Sequence, residues 1–176
     1  MSAALADVAA QPQEFTADER MEVAAFLFEE ARLADESKYD QWEALVDDDM
    51  LYWVPGGMPD PDPDTTLSII ADHRARLHNR IAQLKTGKRL AQQPVSPMRR
   101  HLSNIELKRL SATETCASCN FVLHEYRAQS THQIQIWAGR YEYRLRRAAD
   151  GRMRMFYKRA DLINATGPVP SLAFLI

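Results

Sequence analysis

The sequence has little of the residue types that carry chemistry in short motifs. There are two cysteines in 176 residues, Cys116 and Cys119. They are too few for a disulfide framework, and no second pair supplies the roughly four ligands of a zinc or iron-sulfur site. Their CxxC spacing is therefore read as two small core residues at the entrance of a strand. The six glycines form neither a phosphate-cradling loop nor a dinucleotide fingerprint. Ser68, Ser96, Ser103 and Ser111 lie in nothing like a Gly-flanked nucleophile elbow.

Long apolar runs are also missing. No stretch approaches the roughly 20 residues needed to cross a bilayer. Residues 1–13 lack the basic start and apolar run of a signal peptide, so a cytoplasmic location is expected. Positive charge is not in excess: 22 basic residues stand against 24 acidic ones. With a net charge of -2 there is no basic field for nucleic acid or an anionic membrane. The length suits one domain with a sizeable core.

What is present is periodicity. After an Ala-rich N-terminal arm, residues 1–15, Thr16-Ala17-Asp18-Glu19 has capping-box form and predicts a helix start. Ala24, Leu27, Phe28 and Ala31 follow helical spacing and predict the buried face, with Glu29, Glu30 and Arg32 largely on the other. Ser37 to Val46 predicts a short second helix burying Tyr39, Trp42 and Leu45, followed by the acidic triplet Asp47-Asp48-Asp49 and a strand over Met50 to Val54. Pro55-Gly56-Gly57 stops that strand, and the alternating Pro and Asp residues from Pro59 to Asp64 make a stiff loop suited to clamping a neighbour. Leu67, Ile70, Leu77, Ile81 and Leu84 predict a long third helix closed at Gly87.

From His101 the period changes to two. Strands are predicted near 101–110, 116–127, 132–147 and 152–165, with Asp150-Gly151 as a turn. In the third, Ile134, Ile136 and Ala138 hold one parity, and Trp137, Tyr141, Tyr143 and Leu145 the other. Gly139 lies near the crossover, so a bulged, bent strand is expected. Helices followed by long antiparallel strands predict an α+β domain over residues 16–176, its curved sheet wrapped around the helices.

No catalytic, cofactor-binding or metal site emerges. His73, His78, His101, His124 and His132 include no HxH or HExxH pair. Asp72 and His73 could form an acid-base pair, but adjacent helical residues diverge by about 100°. Arg140, Arg144, Arg146 and Arg147 make a basic strand, read as solvated or subunit-facing. The stretch Ser96 to Asn104 places arginines and a histidine before a strand. This is costly unless they are paired, and it reads either as a surface turn or as an inter-subunit salt-bridge site.

Several of these stretches, in order, are similar to those of the small β subunits of Rieske non-heme iron aromatic-ring-hydroxylating dioxygenases. They are Trp42 through Tyr52-Trp53-Val54-Pro55, Arg80-Ile81 with Lys85-Thr86, and Arg99-Arg100-His101-Leu102-Ser103-Asn104-Ile105-Glu106. Ala138-Gly139-Arg140-Tyr141 to Arg147, then Lys158-Arg159 and Leu172 to Ile176, resemble the family's closing strands and tail. The resemblance runs from about Glu22 to Ile176.

It implies a cone-shaped fold of the nuclear-transport-factor-2-like, cystatin-like type, with a curved, mostly antiparallel sheet around a pocket. It implies a non-catalytic subunit of an oxidoreductase complex that assembles α subunits in an α3β3 heterohexamer. Those large subunits would hold the Rieske 2Fe-2S cluster and the mononuclear Fe(II) for cis-dihydroxylation of an aromatic compound. Similarity to benzoate-type small subunits implies an aromatic acid. Trp53, the proline-rich loop, Arg99, Arg100 and Phe174 to Ile176 are then the expected interface residues. Two alternatives stay open on the same fold. One is a stand-alone isomerase or dehydratase using Asp49, Tyr52, Asp72, His73 and His101. The other is a ligand-binding protein or scaffold with no titratable group at work.

Overall fold

The computed structural model describes residues 14–88 and 93–176. The expected arm lies almost wholly outside them. Thr16 and Glu19 form the capping box: the Thr16 amide donates to Glu19 Oε2 at 2.8 Å and the Glu19 amide to Thr16 Oγ1 at 3.2 Å. They open helix α1, Ala17–Asp35. Its buried side is wider than the spacing suggested, taking in Val23, Phe26, Leu27, Glu30, Ala31, Leu33 and Ala34. Phe28, expected on that side, is 53% exposed, because the true stripe runs one position earlier, through Phe26 and Leu27.

Helix α2, Tyr39–Glu43, buries Tyr39 and Trp42 as expected, but it is shorter than predicted. The chain is already extended at Val46, where strand β1, Val46–Pro55, begins. The predicted long third helix is half strand. Ser68–His73 forms β2, antiparallel to β1, with Tyr52 opposite Asp72 and Val54 opposite Ile70. Leu67 and Ile70 fit helical spacing by coincidence. Pairing with β1 saturates the backbone there, and strand alternation turns Ile70 and Asp72 inward and leaves Leu67 80% exposed. Helix α3, Arg74–Lys85, carries the rest of the pattern and buries Leu77, Ile81 and Leu84. Gly87 follows with φ +62°, as a helix end requires.

Four long strands complete the sheet: β3, Met98–Arg109, β4, Glu114–Tyr126, β5, Ile134–Arg147, and β6, Met153–Leu162. The order is β2-β1-β6-β5-β4-β3, with every neighbouring pair antiparallel except β1 and β6. The helices cover the inner face. Leu27, Trp42, Met50, Leu77, Tyr141 and Met155 meet there in one core, each apolar side chain contributing about 1.5–3 kcal/mol over exposure.

The expected bulge at Gly139 is not found. β5 keeps an unbroken register with β4 from Glu114 opposite Arg146 to Tyr126 opposite Ile134, and the irregularity lies against β6, between Arg144 and Leu145. Parity holds throughout: Trp137, Tyr141, Tyr143 and Leu145 face in, while Ile134 and Ile136 face out, 62% and 57% exposed. Gly139 serves a close approach instead. A Cβ there would meet the Asp161 carbonyl oxygen at 1.9 Å. Gly139→Ala should therefore cost about 1–3 kcal/mol by overpacking, read as a lowered Tm. An unchanged Tm would show that the two strands can part freely.

Candidate functional site

A curved sheet closed by helices is the kind of place where a small molecule could bind, so the groups lining its interior decide what the fold can do. Here they are bound to one another. Glu30 on α1 and Lys158 on β6 are both fully buried, with Lys158 Nζ 2.8 Å from Glu30 Oε1. Trp42 Nε1 donates to the same oxygen at 2.6 Å, and the Tyr143 hydroxyl donates to Oε2 at 3.0 Å. The ammonium lies 4.6 Å from the ring centre of Tyr141, with the rings of Tyr143, Tyr52 and Trp42 around it at 5.5–6.0 Å.

Burial opposes the charge on Glu30, but the Lys158 and Arg100 charges and the hydrogen bonds from Lys158 and Trp42 outweigh it and hold the carboxyl below the usual range. Burial likewise pushes Lys158 down to about 8, against the pull of Glu30. The 2.8 Å contact and the donors around both carboxylate oxygens are those of an ion pair.

A second buried pair stands beside the first. Arg100 Nε donates to Asp35 Oδ1 at 2.7 Å, and the Arg100 amide donates to Oδ2 at 2.8 Å. Its Nη2 holds the Leu175 carbonyl at 2.8 Å. The Tyr52 hydroxyl donates to the Ile176 carbonyl at 2.9 Å and accepts from the Ile176 amide at 2.8 Å. Phe174 meets Trp137 edge-on, ring centres 5.7 Å apart. The tail thus fills the interior. Next to it remains a cavity of about 70 Å³ lined by Tyr39, Leu84, Ser96, Glu125 and Phe174, far below the roughly 300 Å³ of a small-molecule site. Glu125 beside it already accepts from Trp137 Nε1 and Ser96 Oγ, each at 3.0 Å.

The five candidate acid-base residues do not converge. Asp49 is exposed and held by Arg146. Tyr52 is sealed against Ile176. Asp72 turns inward to Arg80 Nε at 2.5 Å, while His73, next on the same strand, turns out. His101 stands exposed on the outer face, its ring 5.7 Å from that of His124. Cys116 and Cys119, three apart on β4, point to opposite faces of the sheet. Each arginine of the basic strand has an acid within the chain: Arg140 with Glu106, Arg144 with Glu142, Arg146 with Asp47 and Asp49, and Arg147 with Glu22.

Three of the expected interface elements are likewise spent inside the chain. Arg100 is the partner of Asp35, and Phe174 to Ile176 belong to the core. Trp53 is buried, donating from Nε1 to Ser68 Oγ at 2.8 Å under the Arg159 guanidinium. Arg99 and the proline-rich loop remain exposed. Glu30, expected on the polar side of α1, is instead buried, because the apolar stripe through Val23, Phe26, Leu27 and Ala34 runs across its position.

These features define an α+β cone whose interior is structural. The match to the ring hydroxylating beta subunit family runs over residues 29–168, and the chain belongs to that family. A relative from Pseudomonas putida, the p-cumate 2,3-dioxygenase system's small oxygenase component, is 33% identical over 145 residues, which is 81% of this chain and 78% of the relative. Among solved structures, the fold is similar to the benzoate 1,2-dioxygenase β subunit of Burkholderia mallei, with a TM-score of 0.71 and 21% identity over 93% of this chain and 99% of that one. It is similar also to a chain of naphthalene 1,2-dioxygenase, with a TM-score of 0.78 and 15% identity over 93% and 89%.

Removing one member of the central pair leaves the other charged and dry. Glu30→Gln should cost about 3–5 kcal/mol, and Glu30→Leu with Lys158→Met together less than either alone, as chemical denaturation would show. Single variants as stable as the parent would mean that the pair is not needed. The pH sign follows from the lowered Glu30 value. Its contribution is complete above its ordinary 4.5 and is lost as pH falls through the folded value. Tm should fall below that point, and less steeply in Glu30→Gln.

Proposed function

We propose that this chain is the non-catalytic, cytoplasmic small subunit of an aromatic-ring-hydroxylating dioxygenase, in which residues 16–176 act as one domain that orders large α subunits within an α3β3 heterohexamer. The Rieske 2Fe-2S cluster and the mononuclear Fe(II) belong, on this reading, to the large subunit, where cis-dihydroxylation takes place. None is assigned to a residue of this chain. Two of the relatives above are named for p-cumate and benzoate, which favours an aromatic acid as substrate.

The observation that carries the reading is the filled interior. Glu30 is bonded to Lys158, Asp35 to Arg100, Tyr52 to the tail and Glu125 to Trp137 and Ser96, so the space inside the cone goes to rigidity. A stand-alone isomerase or dehydratase needs that same space for its substrate. A rigid body with a preformed surface is what an assembly subunit requires, since little order has to be gained on binding.

Native mass and iron content, measured on the chain alone and after co-expression with its large subunit, test this. The expected result is an iron-free small chain and a mixed hexamer that carries all the iron. A small chain that never enters a larger complex, or turns over a small molecule by itself, would overturn the proposal.

A further inference from the structure

The outer face of the sheet carries an apolar strip that the fold does not cover. On β4 and β5 it consists of Val122, Tyr126, Ile134 and Ile136, with Ile163 just past β6 and joined to it by a hydrogen bond from its amide to the Ala138 carbonyl. Strand register sets Arg99 beside His124 and Ile136, and His101 beside Val122. Arg127 follows at the end of β4, and its Nε is buried without a hydrogen-bond partner among the described residues. Of the acids nearby, Glu125 points inward to Trp137 and Ser96, and Asp161, two residues before Ile163, is held by Arg159 at 2.7 Å. The corner is therefore apolar and basic.

At the β2 edge of the sheet, and at the same end of it as this corner, lies the β1–β2 loop. The shared end follows from the register: β1 runs parallel to β6, and Gly57 abuts Ala165 just past β6. The start of β5 and the end of β4 lie at that end too. This loop exposes Met58 and Leu67 together with Asp60, Asp62 and Asp64, and Ile69 follows on β2. No lysine or arginine occurs between Pro55 and His73. It is apolar and acidic, and its prolines stiffen it, so docking it costs little order.

Two different patches, alike in apolar character, opposite in charge and carried by different strands at one end of the sheet, suit a head-to-tail contact between copies. Repeated with a rotation that closes, such a contact makes a ring. We infer that the proline-rich loop of one copy docks on the outer Val122–Ile136 corner of the next, and that this is the contact between neighbouring small chains. The occupant is a second copy of this chain rather than the large subunit, because both halves of the complementarity are present on this chain. The inference rests on the assembly reading above and adds to it the surface used.

Cross-linking in the co-expressed complex tests it. In a Cys116→Ser background, Met58→Cys with Ile136→Cys, treated with a short bis-maleimide, should give covalent species of two and then three small chains, and neither single variant should. Asp60→Arg with Asp64→Arg should weaken association between small chains by about tenfold or more, as should Arg99→Glu with Arg127→Glu, and the two sets combined should restore it. A missing ladder, or charge reversals without effect on native mass, overturns the inference. If the large subunit still co-purifies in that case, the assembly role stands and only the surface is wrong. If it never does, the assembly role itself falls.

Discussion

A carboxylate and an ammonium removed from water each lose several kcal/mol of hydration, and that loss is recovered only where geometry and further hydrogen bonds are good. Glu30 and Lys158 meet that condition through particular elements. Helix α1 must place Glu30 over the middle of β6, α2 must present the Trp42 indole to one carboxylate oxygen, and β5 must present the Tyr143 hydroxyl to the other. Tyr141, Tyr143, Tyr52 and Trp42 then surround the ammonium with ring faces and edges. Helix docking, strand register and aromatic packing are thus fixed by one pair, because a slip of one residue in β5 or β6 would turn its partner to the wrong face.

The second pair carries this constraint to the tail. Asp35 ends α1 five residues beyond Glu30, and it binds both the backbone and the side chain of Arg100. The other end of that guanidinium holds the Leu175 carbonyl, so the tail is ordered by the same helix that orders the centre. The price of a rigid interior is the pocket itself. A fold able to enclose a ligand has enclosed its own tail.

Much of this architecture was legible in the sequence. The capping box at Thr16, the period-two run from His101 and the short helix around Trp42 each rest on local chemistry, and each is found in place. The errors share a cause, which is pairing at a distance. Leu67 and Ile70 have helical spacing, and only the partner strand β1 makes that segment extended. Gly139 looked like a parity change because the outer face of β5 carries Ile134 and Ile136, and nothing local says that an isoleucine faces outward. The interior pairs were hidden for the same reason: Glu30 and Lys158 stand 128 residues apart, and Arg100 and Asp35 stand 65 apart. Arg100 was correctly read as needing a partner, but the partner was sought in another subunit.

With the interior closed, contacts with other chains have to be made through surfaces, and the sheet limits which ones. The β3 edge is a poor template for adding a strand. It is broken between Ser103 and Glu106, where Asn104 takes a positive φ, and it carries Arg99, Glu106, Lys108 and Arg109 along its length. Bulges and charges of this kind block edge-to-edge pairing. Towards β1 and β6 the outer face is already occupied by its own Trp53, Tyr157, Arg144 and Arg159, stacked on one another and paired with acids. Among the surfaces the fold leaves open are the apolar corner around Ile136 and the stiff acidic β1–β2 loop. A protein whose edge strand resists extension and whose interior is filled by its own tail can still offer two fixed, unlike patches, and fixed patches are what an ordered assembly needs.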